Sequence, residues 1–115
     1  MLAAGAIETV VAVAGSRQAA HQQTGIVITM RDDGFTPRLF TIDGGENQRF
    51  VLTLVNAGSE PHQMSIDDLN VRSGVVPPGQ RGSIDFVSVR EGTYRFVDPL
   101  PGHEQAGLLG YVTFD

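Results

Sequence analysis

The sequence predicts an all-β domain. Short runs rich in β-branched and aromatic residues alternate apolar with polar side chains. Gly, Pro, Asn and Asp cluster in the gaps between those runs. The 115 residues include 14 glycines and 6 prolines, a supply of turn formers that suits many short strands and falls below that of a disordered or collagen-like chain. Such runs at this spacing indicate a β-sandwich or a small barrel.

The segments follow in order. Residues 1–24 form a separate N-terminal tail, Ala- and Val-rich, ahead of a domain spanning 25–115. Within the tail, Ile7, Val10, Val11 and Ala14 fall at i, i+3, i+4 and i+7, which suits a short helix; a strand through Thr9 to Ala14 competes with it. Gln18-Ala19-Ala20 ends in small residues, as a signal or anchor remnant would, although a basic leader region is missing. His21 reads as a plain surface residue of this tail. Ile26 to Met30 is a β-branched strand, and Arg31-Asp32-Asp33-Gly34 turns it. Phe35 to Ile42 is the next run, closed by Asp43-Gly44-Gly45. Phe50 to Val55 is the strongest strand, ended by Asn56-Ala57-Gly58-Ser59.

His62 to Ile66 alternates and should present His62, Met64 and Ile66 on one face. Asp67-Asp68 reads as a solvated turn, and Val76-Pro77-Pro78-Gly79 as a rigid one. Ser83 to Val89 points Ile84, Phe86 and Val89 inward. Glu91-Gly92 turns into Thr93 to Val97, and Tyr111 to Phe114 is the last strand. Phe50, Leu52, Leu54, Ile84, Phe86, Tyr94 and Phe96 should supply much of the core, with Met30 and Met64 behind them.

Composition narrows the function. The formal net charge is −5, which argues against a nucleic-acid binder driven by phosphate contacts. No segment has the roughly 18 uninterrupted apolar residues of a membrane span. Cysteine is absent, which removes disulfides, thiolate zinc sites, iron–sulfur clusters and a Cys nucleophile. Any metal site must use His, carboxylate, backbone or Met. A Gly-rich phosphate loop and a G-x-S-x-G elbow are both missing, so enzyme readings have little support.

The ordered series Gly34-Phe35-Thr36-Pro37, Gly44-Gly45, Val55-Asn56-Ala57-Gly58, Pro61-His62, Val76-Pro77-Pro78-Gly79, Gly92-Thr93-Tyr94-Arg95-Phe96, Pro101-Gly102-His103 and Gly107 with Gly110-Tyr111-Val112 resembles the cupredoxins, the small blue-copper proteins. The likeness runs from about Ile26 to Phe114. It implies an antiparallel Greek-key β-sandwich of about seven or eight strands with an extra N-terminal segment. It also implies copper, a redox or copper-delivery protein partner, and a periplasmic or extracellular setting, sometimes with membrane attachment through a leader.

The family holds copper by an early His and by a Cys, a His and a Met on one late loop. By resemblance the early His falls on His62 and the loop His on His103. The Cys position falls on Asp98 and the axial Met position on Leu108. Both imidazoles match and both sulfur ligands do not. His62, Asp98 and His103 remain a competent set for copper, with Zn(II) also possible. A carboxylate shifts the preference toward Cu(II). Without a thiolate the site departs from an ordinary blue-copper centre. The competing reading is a cupredoxin-shaped structural or interaction domain without metal, in which His62 and His103 are structural and Asp98 only starts a turn with Pro99. A hydrolytic metal site would need a nearby base, and Glu104 is the sequence-near candidate.

Overall fold

The computed structural model describes residues 22–43, 48–87 and 90–115. The helix or strand expected within residues 1–21, His21, and the turn and core positions at Gly44, Gly45 and Val89 lie outside the described residues. Nine strands and one short 3-10 turn make up the described chain. In order they are β1 (Gln22–Arg31), β2 (Gly34–Thr36), β3 (Leu39–Ile42), β4 (Arg49–Asn56), β5 (Ser65–Ile66), β6 (Val71–Arg72), β7 (Arg81–Val87), β8 (Gly92–Val97) and β9 (Leu109–Phe114). The 3-10 turn, Asp67–Leu69, occupies the expected solvated turn between β5 and β6.

The strands form two sheets, ordered β2-β1-β4-β7 and β3-β9-β8-β5-β6. This is the expected β-sandwich, with one refinement. The sheets are mixed: β1 pairs with β4 and β3 with β9 in parallel, while β4–β7 and β8–β9 are antiparallel. Strand-by-strand alternation reports which face is buried and is blind to pairing direction. The run expected from Phe35 to Ile42 divides because Pro37 has no N–H to continue a ladder. Its first half pairs with β1 in one sheet and its second with β9 in the other.

Burial follows the alternation closely. Along β4, Phe50, Leu52, Leu54 and Asn56 are buried, while Arg49 is exposed and Val51, Thr53 and Val55 are half-buried. Along β7, Ile84 and Phe86 point in and their neighbours are exposed. Phe96, Val112, Phe114 and Ile42 answer from the opposite sheet, and Met30 and Met64 are fully buried. Tyr94 packs against this core from its edge, and its hydroxyl donates to the Arg90 carbonyl at 2.7 Å. Aromatic rings knit the layers together. Phe50 meets Phe114 edge-on with centroids 5.3 Å apart, and Phe96 meets Phe35 at 5.1 Å and Phe40 at 5.7 Å.

Beside the Phe96 ring lies Gly110, where an added Cβ would overlap both the ring and the Arg38 carbonyl. Phe96 is thus enclosed by rings on one side and by backbone on another, and the site left by its removal has little means of collapsing. Replacing Phe96 by Ala should therefore cost about 3–5 kcal/mol, read from chemical denaturation of the metal-free protein. A loss below about 1 kcal/mol would contradict this packing.

Candidate metal centre

Asn56 ends β4 as a buried polar residue with every side-chain group used. Its Nδ2 donates to the carbonyls of Glu60 and Val76 at 2.8 Å each, and its Oδ1 accepts from Gly58 N–H at 2.8 Å. These bonds fold residues 57–61 over the end of the sheet. His62 follows and is pinned to Val76 by a reciprocal pair, N to O at 3.0 Å and O to N at 2.7 Å. The expected strand from His62 is therefore an isolated bridge at His62, with regular pairing resuming only at Ser65. The side chain of His62 is fully buried.

Asp98 leaves β8 immediately after Val97 and is also fully buried. Its N–H donates to the Leu108 carbonyl at 3.1 Å, closing the loop to β9. Its Oδ1 accepts from Leu100 N–H at 3.0 Å, the turn that an Asp before Pro favours. His103 sits within that loop, where its carbonyl accepts from Leu108 N–H at 3.1 Å. Leu108, at the expected axial position, is wholly buried and bound through its main chain to both Asp98 and His103.

The three expected site residues meet. Asp98 Oδ2 lies 2.8 Å from His62 Nδ1 and 2.8 Å from His103 Nδ1. The two rings are 4.9 Å apart at their centroids. One donor atom from each residue falls within 4.8 Å of the others.

Two further acids complete the cluster, and the sequence reading did not single them out. His62 Nε2 is 2.9 Å from Asp32 Oδ1, and His103 Nε2 is 3.0 Å from Glu60 Oε1. Glu60 stands two residues before His62, the spacing that puts alternate residues of an extended segment on one side. Asp32 carried no local signal, because its partner lies thirty positions away. Glu104, the sequence-near acid, pairs instead with Arg95.

An ionised carboxylate only accepts hydrogen bonds, so in the metal-free protein each of these four contacts needs a proton on the imidazole nitrogen or on the acid. The Asp98 carboxylate, accepting from Nδ1, raises the His103 pKa above its ordinary value; burial opposes this and the charge of Glu60 assists. The Ser59 hydroxyl, followed by His62 and the Ser59 N–H, holds Asp32 well below the usual carboxylate range. As for chemistry, two imidazoles and a carboxylate converging with little exposure to solvent are a donor set for a borderline divalent ion. A carboxylate on the far nitrogen of each imidazole is the usual companion of a ligating His. The residues present therefore fit a metal of this type, without the thiolate of a blue-copper centre.

The fold and this cluster define a small β-sandwich that gathers two histidines and an acid at one end. Over residues 3–109 the chain matches the family model of the cupredoxin-like domain, and it belongs to that family. Among solved structures, it is similar to the dithionite-reduced auracyanin of the photosynthetic bacterium Roseiflexus castenholzii. The identity is 19%, over 84% of this chain and 98% of that one, with a TM-score of 0.67. Auracyanin B matches at 18% identity, over 87% of this chain and 93% of its own, with a TM-score of 0.65. An oxidized methionine-to-leucine mutant of amicyanin matches at 18%, over 78% and 81%, with a TM-score of 0.57. At these identities the likeness is one of fold. No curated protein matches the chain. Among the described residues no helix is long and apolar enough to cross a membrane.

A raised His103 pKa links protonation to stability with a definite sign. The stabilisation is fully present below the ordinary value of 6.5 and is lost as pH rises through the folded-state value. In the metal-free protein, the His103 imidazole should titrate by NMR with a midpoint above 6.5. Replacing Asp98 by Asn should move that midpoint down. A midpoint at or below the ordinary value in the unsubstituted protein would contradict the Asp98 contact.

Proposed function

We propose that this chain is a metal-binding cupredoxin-like domain that holds copper, and Zn(II) as a second choice, through His62, His103 and Asp98. The orientation of the two imidazoles carries the reading. Each keeps Nε2 on an outer carboxylate and turns Nδ1 toward the same Asp98 oxygen. Acceptors at Nε2 hold the proton there and leave Nδ1 free to ligate once its own proton departs.

In this reading the chain's own residues do the following. His62 and His103 offer Nδ1 lone pairs, and Asp98 contributes a negative charge that favours Cu(II) over Cu(I). Leu108 contributes an apolar side chain where an axial sulfur would stand in the family pattern. A bound copper would supply a redox-active centre lacking the thiolate charge transfer that colours blue-copper proteins. Hydrolysis is not part of the proposal, because Glu104, the nearest base in sequence, is engaged by Arg95. A redox or copper-delivery partner, and a periplasmic or extracellular setting, accompany the proposal by analogy with the family.

One observation favours a second reading, a structural or interaction domain that needs no metal. Asp98 already accepts three hydrogen bonds, from both Nδ1 atoms and from Leu100 N–H, so the cluster is complete as a network of its own.

Titration with Cu(II), Cu(I) and Zn(II), followed by calorimetry and paramagnetic resonance, separates the two. The expected result is one Cu(II) per chain, a weakly coloured protein, and an affinity that falls as pH drops because protons compete for Nδ1. His62→Ala and His103→Ala should each remove most of the binding, and Asp98→Ala should weaken Cu(II) more than Cu(I). Uptake indifferent to both histidine replacements, or no uptake, would establish the metal-free reading.

A further inference from the structure

Asp32 and Glu60 are joined to one another as well as to the histidines. Asp32 sits in the turn between β1 and β2 and grips the loop that follows β4. Its two oxygens accept from Ser59 N–H at 3.0 Å each, and Oδ2 accepts from Ser59 Oγ at 2.6 Å. Oδ1 also accepts from Glu60 N–H at 3.2 Å, alongside its contact with His62 Nε2. The same Glu60 sends its side chain to His103 Nε2. One carboxylate thus holds the first imidazole directly and fixes the backbone that delivers the second carboxylate to the other imidazole. The loop passes over this pair without spare room: a Cβ on Gly58 would overlap Asp32 Oδ1 and stand 3.0 Å from His62 Nε2.

We propose that Asp32 is the positioning residue for both imidazoles, and that Asp32 and Glu60 together bias the site toward a dication and against cuprous ion. The proposal rests on His62 and His103 being ligands. Two arguments carry it. The first concerns tautomers. Once Nδ1 has given up its proton to a metal, an acceptor at Nε2 holds the ring's remaining proton there, and here the acceptor on each ring traces back to Asp32. The second concerns charge. Asp98, Asp32 and Glu60 place three acidic groups around the two imidazoles, and among the described residues the ion pairs that reach them come only from the two histidines. An ion of charge two gains about twice the attraction of an ion of charge one from the same acids. Asp32 should act more strongly than Glu60, because it contacts the fully buried ring and its side chain is 40% exposed against 59% for Glu60.

The test uses Asp32→Asn and Glu60→Gln in the full chain, titrated separately with Cu(II), Cu(I) and Zn(II), with nitrogen-15 spectra of the imidazoles recorded without metal. Asp32→Asn should weaken Cu(II) and Zn(II) by about 10–100-fold. Cu(I) should weaken less, and each tenfold change in the ratio should raise the copper potential by about 59 mV. The imidazole signals of both His62 and His103 should move. Glu60→Gln should move His103 alone and shift the ratio less. Ser59→Ala, which removes one donor to Asp32 and keeps its charge, should alter both imidazoles with a smaller effect on the ratio, and it serves if Asp32→Asn does not fold. An unchanged Cu(II) to Cu(I) ratio in Asp32→Asn, or in Ser59→Ala imidazole signals that stay as in the unsubstituted protein, would overturn the proposal. Copper uptake that is His62- and His103-dependent yet indifferent to Asp32 would overturn this inference and leave the metal-binding reading standing. Uptake independent of both histidines would overturn both.

Discussion

Asp98 is a carboxylate with no exposure to solvent, and a buried acid is tolerated only when its oxygens are occupied. Two imidazoles and one backbone N–H occupy them. That requirement ties together parts of the chain that are far apart in sequence. His62 must come from the segment after β4, His103 from the loop after β8, and both must present the same ring atom. With one imidazole removed, Asp98 would keep its burial and lose much of its compensation.

The sandwich supplies the rigidity that this arrangement needs. β4 lies inside one sheet, paired on both sides, and ends in the fully satisfied Asn56 that shapes the approach to His62. β8 and β9 lie inside the other, so the loop between them starts and finishes on held strands. The aromatic contacts of Phe114 with Phe50 and Phe86, and of Phe96 with Phe35, lock the two sheets at a fixed spacing. Small errors in that spacing would be felt as a misplaced Asp98, because Asp98 lies on a connection within one sheet and His62 on the crossover between the two. Asp32 adds a second tie from the turn after β1.

The strand cores were plain in the sequence because a half-buried strand must alternate, and β4 and β7 do so residue by residue. The His62, Asp98 and His103 trio was also visible, but only through resemblance to the family pattern. Less visible was the segment from His62 to Ile66. Its alternation reads as a strand, but its pairing is limited by the bridge to Val76 and by the two-residue β5. The run from Phe35 to Ile42 carried one pattern across two sheets, since alternation does not record a change of partner.

The amino-acid sequence by itself determined the all-β class, the inward residues of the long strands and the absence of any thiolate. These are local or compositional properties, set by side-chain chemistry and spacing. Tertiary structure alone decided that β1 and β4 run parallel and that Phe35 and Phe40 belong to different sheets. It alone brought Asp32 and Glu60 to the outer nitrogens of the imidazoles. Those facts depend on contacts between residues tens of positions apart, and hydrogen-bond complementarity at such separations leaves no periodic trace in the chain.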